Sequence, residues 1–239
     1  MSGGAVLKGK MSEGTSPEYI PFWKIDNTAW PNAVANSPAL RPTTAADTPP
    51  RPYIYEEGVP ARVYCDGGVV GRNGKAKGGV WAWRWVAEDG TVLREESGVI
   101  KPGQFKPFEF CGNNLSELVA LLRALWDLPV GWRGTIYTDS EVTIDRMTKS
   151  MAGGWQAKLL KTVPKRYVDI AAYLRAKLGP LSFIHLAGHP SPEELAAGFK
   201  NGVPVSEHQD WCDRACNEAK KQFDPFVSIP AGKAKEVGL

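Results

Sequence analysis

One stretch of the sequence, CGNNLSELVALLRALWDL at residues 111–128, predicts the element around which the fold is organised. Its leucines, valine and alanines recur at helical spacing, which predicts a helix with a wide apolar stripe and therefore a largely buried one. An acid, Glu117, stands near the start of that helix. A capping box with Asn114 as N-cap is one explanation, and an acid in the first turn also suits the helix dipole.

Three further acids each have a local explanation of their own. Asp66, in ARVYCDGG, fits a hairpin turn because Asp-Gly is a common turn signal. Asp139, in GTIYTDS, fits a helix N-cap together with Ser140, and Asp213, in HQDWCDRAC, fits the solvated face of a helix. A single alternative covers all the acids: strand ends and helix starts of a mixed α/β sheet meet in one crevice, where clustered carboxylates repel unless cations neutralise them.

The ligand types favour a hard divalent cation in that crevice. Carboxylates without an accompanying set of His or Cys ligands predict Mg²⁺, with Mn²⁺ as a substitute. A zinc site is a competing interpretation for one helix, because His208, Cys212 and Cys216 stand four apart on a single face. Cysteines that pack as small hydrophobic residues explain the same spacing.

The order of the predicted elements indicates the fold class. Strands are predicted at ARVYCDGG, GGVWAWRWV and TVLREESGVI, followed by the helix at Asn114. A strand at GTIYTDS, helices over residues 141–149 and at VDIAAYLRAKL, a strand at LSFIHLAGH and a helix at HQDWCDRACNEAKK come next. We therefore predict an α/β fold with a five-stranded mixed sheet, three antiparallel strands followed by two parallel additions, and helices on both faces.

Composition predicts one domain with two tails. Residues 1–58 are rich in Pro, Ala, Ser and Thr but include several aromatic residues, so part of this tail is expected to dock on a folded surface or a protein partner. Residues 59–226 are expected to form the domain and residues 227–239 a flexible tail. The net charge of +3 is too small to indicate nucleic-acid binding by itself. Reduced cysteines, no apolar run of membrane-spanning length and no presequence predict a cytoplasmic monomer without membrane contact.

The segments YCDGG, NNLSEL, YTDS, GH and WCDRA occur in the order of the type 1 ribonuclease H family, which the chain resembles from about Pro60 to Phe223. The resemblance implies an RNase H-like fold and an endonuclease that cuts the RNA strand of RNA/DNA hybrids. It implies two metal ions and products with 5′-phosphate and 3′-hydroxyl ends. It also assigns His189 a role in protonating the leaving group or releasing product. The acids that match the metal-binding and catalytic positions are Asp66, Glu117, Asp139 and Asp213.

Substrate contacts are implied by the same resemblance. Gly67, Asn113 and Asn114 match positions that contact the hybrid, the two asparagines in its minor groove. The segment at residues 155–166, WQAKLLKTVPKR, is expected to be irregular or briefly helical. It matches by position the basic protrusion that holds the phosphates of the DNA strand, although a solvated charged loop is the alternative. Its cations are Lys158, Lys161, Lys165 and Arg166.

Two features depart from the family pattern. The connection from His189 to Asp213 is longer than usual, and Gln209 stands where many members have Asn. Because GFKNG and the flanking prolines offer no periodic apolar face, this connection is expected to be a mobile carrier of His189. A nuclease of the same fold that acts on DNA, such as a resolvase, and a non-catalytic hybrid-binding module are the alternative functions. The asparagine pair favours the hybrid-specific enzyme.

Overall fold

The computed structural model describes residues 58–149 and 154–223. The expected docking of the N-terminal tail and the expected flexibility of residues 227–239 therefore concern residues outside the described part. Within that part, no helix combines the length and the apolar character needed to cross a membrane.

A single mixed sheet forms the centre of the domain, with strand order β3-β2-β1-β4-β5. The first three strands pair antiparallel, whereas β4 pairs parallel with β1 and β5 pairs parallel with β4. This arrangement confirms the predicted fold class of three antiparallel strands followed by two parallel additions. The strands are β1 Arg62–Val70, β2 Gly78–Val86, β3 Val92–Ile100, β4 Thr135–Thr138 and β5 Ser182–His185.

Helices cover both faces of this sheet, as predicted. One core joins the first and fourth helices, α1 and α4, to the sheet, and a second core lies on the opposite face beneath the sixth, α6. The helices are α1 Asn113–Trp126, α2 Glu141–Thr148, α3 Trp155–Leu159, α4 Lys165–Leu178, α5 Pro192–Ala197 and α6 Glu207–Lys221.

The apolar stripe of α1 packs on three tryptophans of β2. Trp81, Trp83 and Trp85 alternate along the strand, so all three project into the same core. The Trp85 indole Nε1 donates a hydrogen bond to the carbonyl oxygen of Ala124 at 2.8 Å, which fixes the helix against the strand. Full burial of each leucine or valine in the α1 stripe contributes roughly 1.5–3 kcal/mol to the free energy of unfolding.

Two local explanations of the acids are wrong. Asp66 does not lie in a turn, because β1 continues through it to Val70 and Asp66 pairs with Ala82 of β2. The capping box at Asn114 is absent: α1 begins at Asn113 and its N-cap is Gly112, which makes no side-chain capping bond. The earlier helix start places Glu117 in the second turn, where it faces β1 instead of the helix terminus.

The long connection before α6 has more structure than its sequence indicates. Ser191 and Glu194 form a capping box that starts α5, and two short strands, β6 Phe199–Lys200 and β7 Val203–Pro204, pair antiparallel after it. The amide of Ala187 donates to the carbonyl of Pro204 at 2.9 Å, which joins this hairpin to the end of β5. Hydrogen bonds therefore anchor this connection in place of the missing apolar face, and its mobility in the absence of substrate stays a prediction.

Helix α6 is joined to the middle of β1 by two polar contacts. The Gln209 side-chain Nε2 donates to the carbonyl of Cys65 at 3.1 Å, and the Cys216 thiol donates to the carbonyl of Asp66 at 3.4 Å. Gln209, which departs from the family pattern, thus has a buried structural contact. All four cysteines are free and buried, as their placement in predicted elements indicated.

Candidate metal centre

Three buried or half-buried carboxylates converge beside the end of β4, next to the middle of β1. Asp66 projects from β1, Glu117 from α1, and Asp139 from the residue after β4; one oxygen from each lies within 4.8 Å of the others. Asp66 and Glu117 are only 7% and 5% exposed. Because β1 and β4 are parallel neighbours with Tyr64 opposite Tyr137, Asp66 in the middle of β1 lies beside Asp139, the residue that follows β4.

Glu117 is held in place by β1 and by its own helix. The Gly67 amide donates to its Oε2 at 3.0 Å, and the Asn113 side-chain Nδ2 lies 3.3 Å from its Oε1. A Cβ at residue 67 would lie only 2.3 Å from the Glu117 amide nitrogen. Glycine is therefore required where α1 crosses β1, and this close crossing brings Glu117 beside Asp66.

Asp139 is directed into the cluster because its neighbour caps the following helix. Ser140 is the N-cap of α2 and accepts a hydrogen bond from the Thr143 amide at 3.3 Å, so Asp139 is not needed in that role. Its Oδ1 is buried without a hydrogen-bond partner. A buried carboxylate oxygen without a donor is costly unless a cation binds it.

The electrostatics of the cluster favour cation binding. Burial, followed by the charges of Asp139 and Asp213, raises the pKa of Asp66 to about 7. Burial and the Asp66 charge raise the pKa of Glu117 well above its usual range, and burial also raises the pKa of Asp139. A divalent cation would neutralise these charges, and three carboxylates offer the hard oxygen ligands that Mg²⁺ and Mn²⁺ prefer. The residues present therefore fit such an ion.

The fourth predicted acid lies beside the cluster in a pair with a histidine. Asp213 Oδ2 on α6 is 3.2 Å from His189 Nδ1, and the His189 side chain is 76% exposed. Asp213 is close enough to raise the pKa of both Asp66 and Asp139. His185 is the last residue of β5, in agreement with the predicted strand, and its Nε2 bonds to the Asp139 carbonyl at 3.1 Å.

The asparagine pair lies beside a cavity of about 330 Å³ at the start of α1. Asn113 faces Glu117, whereas the carbonyl of Asn114 accepts a hydrogen bond from Arg146 at 2.5 Å. Phe110 and Lys161 also line the cavity. Sequence reasoning missed Arg146 because a single arginine on an amphipathic helix carries no signal of its own.

The predicted basic segment is partly helical and mostly exposed. Lys158 and Lys161 project into solvent, and Lys165 is paired with Asp169 at 2.6 Å. Arg166 is different because it is half-buried and donates to the Tyr167 hydroxyl at 2.9 Å. All three lysines are exposed, but Lys165 and Arg166 are each engaged by another side chain of the domain, whereas Lys158 and Lys161 project freely.

The zinc interpretation of α6 finds no support in the described residues. His208 Nδ1 lies 3.3 Å from an Arg84 guanidinium nitrogen, and Cys212 and Cys216 are buried in the core beneath α6. Within residues 58–149 and 154–223, the His, Cys, Asp and Glu side chains close enough to share an ion are those of the three-carboxylate cluster. The alternative interpretation, packing as small hydrophobic residues, fits the two thiols.

The sequence profile of the RNase H family matches residues 60–197, more than half of the 239-residue chain. The chain belongs to the RNase H family. This match confirms the resemblance that the motifs indicated and spans Asp66, Glu117, Asp139 and His189. It ends before α6, so the assignment of Asp213 depends on the geometry of this RNase H domain.

Several solved structures are similar to the chain. RNase H1 from the halophilic archaeon Halobacterium salinarum NRC-1 is 18% identical, with a TM-score of 0.43, over 68% of this chain and 98% of that one. LC11-RNase H1 in complex with RNA/DNA hybrid is 22% identical, with a TM-score of 0.43, over 67% and 96%. A foamy viral protease-reverse transcriptase in complex with RNA/DNA hybrid is 12% identical, with a TM-score of 0.46, over 79% and 24%. No curated protein sequence matches the chain significantly.

Proposed function

We propose that this RNase H domain is an endoribonuclease that hydrolyses the RNA strand of RNA/DNA hybrids with divalent metal ions. The main support is the convergence of Asp66, Glu117 and Asp139 within 4.8 Å in a chain of this family. Asp213 and His189, paired at 3.2 Å beside the cluster, complete the proposed active site. Burial and mutual repulsion make the carboxylates unfavourable as free anions, so cation binding and catalysis are coupled in this proposal.

The acids of the cluster would hold the metal. Two Mg²⁺ or Mn²⁺ ions held there would supply the activation of a water and the stabilisation of the departing 3′ oxygen, so that cleavage would leave 5′-phosphate and 3′-hydroxyl ends. The Gly67 amide and the Asn113 side chain fix the two oxygens of Glu117, so this carboxylate is oriented before any ligand arrives. Asp139 contributes its unpartnered buried Oδ1.

His189 is proposed to move a proton. Its Nδ1 faces Asp213, which leaves Nε2 as the atom that can protonate the leaving group or assist product release. The high exposure of its side chain allows contact with substrate, whereas Asp213 fixes the orientation of the ring. With Nδ1 directed at a carboxylate, the ring is held so that Nε2 is free to transfer a proton.

Substrate binding is proposed on both sides of the acids. Asn113 and Asn114 would contact the minor groove, where the 2′-hydroxyl distinguishes RNA from DNA. Gly67, whose amide donates to the same carboxylate as the Asn113 side chain, is proposed to contact the hybrid through its backbone. The lysines of the basic segment, Lys158, Lys161 and Lys165, would bind phosphates of the DNA strand, with a smaller contribution from Arg166 because Tyr167 partly engages it.

The decisive experiment compares cleavage of end-labelled RNA/DNA hybrid, double-stranded RNA and double-stranded DNA in the presence of Mg²⁺. We expect cleavage of the RNA strand of the hybrid alone, with 5′-phosphate products, and no cleavage by Asp139→Asn. Cleavage of duplex DNA would favour a resolvase-like nuclease instead. Hybrid binding without cleavage, in Mg²⁺ or in Mn²⁺, would favour a non-catalytic binding module.

A further inference from the structure

The long connection between β5 and α6 turns back on the backbone of His189. Lys200, in β6, donates from Nζ to the carbonyl of Gly188 at 3.0 Å and to the carbonyl of His189 at 2.8 Å. These two carbonyls belong to the peptide units on either side of the His189 Cα. One ammonium group therefore binds the backbone on both sides of the proposed proton-transfer residue.

The backbone that Lys200 binds is in an unfavourable conformation. His189 has φ 49°, in the left-handed region that residues with a Cβ rarely adopt. The next residue is Pro190, and a residue before proline favours an extended backbone. In an extended backbone successive carbonyls point in opposite directions, whereas here the carbonyls of Gly188 and His189 both lie within hydrogen-bond distance of one ammonium group. Lys200 can thus bind both carbonyls when His189 has its observed backbone conformation, and it would lose this double contact if the backbone of His189 became extended.

Lys200 is itself held by the structure of the connection. The pairing of β6 with β7 fixes its backbone, and the amide of Ala187 joins β7 to the end of β5 at 2.9 Å. Glu194, in the capping box of α5, lies 3.8 Å from the Lys200 ammonium. Residues 190–206 therefore form a folded loop that places the Lys200 ammonium against the backbone of Gly188 and His189.

The direction of the His189 imidazole depends on this backbone. With 76% of the side chain exposed, the ring has little packing to orient it, and its contact is the 3.2 Å pair with Asp213. Rotation of the His189 backbone to an extended form would swing the ring away from Asp213. On the basis of the proposed function, we propose that Lys200 is a positioning residue that holds His189 in its left-handed conformation and so directs the imidazole at Asp213 and the scissile phosphate.

The first test observes the ring directly in the metal-free protein. The chain has three histidines, so His189→Ala identifies the His189 ring signals in a ¹H–¹³C spectrum. Lys200→Met should shift and average these signals. Lys200→Gln should have a smaller effect, because its side-chain amide can still donate to one carbonyl. Lys200→Arg should largely preserve the wild-type signals. The control is Lys177→Met, which removes a half-buried lysine that donates to the Trp126 carbonyl at the other end of α1.

The spectrum and the thermal unfolding curve need no enzymatic activity, so this test stands even if the domain cleaves no hybrid. Lys200→Met and Lys177→Met should have comparable melting temperatures, and the His189 ring should change only in the former. Identical His189 signals in wild type, Lys200→Gln and Lys200→Met would overturn the proposal. If Lys200→Met did not fold, the same comparison of wild type with Lys200→Gln would decide.

The second test uses hybrid cleavage in a double-mutant cycle. Removing a positioning residue cannot lower kcat more than removing the residue that it positions. Lys200→Met should therefore lower kcat by about twofold or more, up to the loss caused by His189→Ala, with KM unchanged. In the His189→Ala background, Lys200→Met should have no further effect. An equal loss in both backgrounds would show that Lys200 acts on substrate or on the fold instead, and would overturn the proposal.

Discussion

Gly188 lies against Asp139 so closely that a Cβ at residue 188 would fall 2.3 Å from the Asp139 Oδ2. The His189 loop therefore packs directly on a carboxylate of the proposed metal centre. Gly188→Ala should displace either the loop or the carboxylate and lower kcat by about tenfold or more, since small errors in positioning are costly in catalysis. Gly112→Ala is the folding control, because a new Cβ there meets no atom within 4 Å. Wild-type cleavage by Gly188→Ala would show that the contact is not needed.

The metal assignment predicts the effects of two charge-neutral variants. Asp66→Asn and Asp139→Asn should each lower hybrid cleavage by about 10²-fold or more while leaving hybrid binding nearly intact. Asp145→Asn removes an exposed acid paired with Lys149 and should cleave normally. Retention of more than about a tenth of wild-type activity in both variants would falsify the metal assignment.

The raised pKa of Asp66 predicts how stability depends on pH. A carboxyl whose pKa is about 7 in the folded protein and about 3.9 in the unfolded chain binds more protons in the folded state between these values. The free energy of unfolding of the metal-free protein should therefore fall as pH rises from about 4 to about 7. Urea unfolding in EDTA measures this slope.

Asp66→Asn should flatten that slope and stabilise the metal-free protein at neutral pH by on the order of a few kcal/mol. Added Mg²⁺ should raise the melting temperature of the wild type above pH 7 and have little effect on the variant. An equal pH slope in Asp66→Asn and wild type would mean that other groups set the pH dependence.

Phosphate binding by the basic segment predicts a change in salt dependence. Lys158, Lys161 and Lys165 are replaced together by glutamine in one variant. This triple variant should have weaker hybrid affinity, and the slope of log Kd against log salt should fall by up to about one per lost phosphate contact. Turnover at saturating hybrid should persist. Adding Arg166→Gln should reduce the slope little further and should lower thermal stability, because its guanidinium donates to Tyr167. An unchanged slope in the triple variant would leave this segment as a solvated charged loop.

Loss of His189, which is paired with Asp213, should lower catalysis less than loss of an acid of the metal cluster. His189→Ala should lower kcat by about 10 to 10²-fold with little change in KM. A mobile loop that only carried the histidine would tolerate shortening. Because Lys200 lies within residues 196–203, replacing that range with a short linker should lower kcat toward the His189→Ala value. A loss as deep as that of Asp66→Asn in either variant would instead assign this region to metal binding or to the fold.

The sequence predicted which acids meet but not how each is held. A strand that ends just before Asp139 and an acid on an apolar helix were sufficient to indicate the crevice, although Asp66 lies within β1 and not at its end. The contact between Gly67 and Glu117 depends on a helix start that no capping signal marks, because Gly112 forms no side-chain cap. Lys200 was not predictable either: it is 11 residues from His189 in a segment without periodicity, and its role arises only after the chain reverses.

The polar contacts between α6 and β1 have a consequence for biosynthesis. Gln209 and Cys65 are 144 residues apart in the chain, and Cys216 and Asp66 are 150 residues apart. A nascent polypeptide cannot form these contacts until α6 has left the ribosome, so the order of synthesis delays completion of the proposed active site beyond completion of the sheet. Contacts between such distant residues also slow folding, because a long loop must close before they form. Nucleolytic activity should therefore emerge late and abruptly during synthesis, together with the docking of α6.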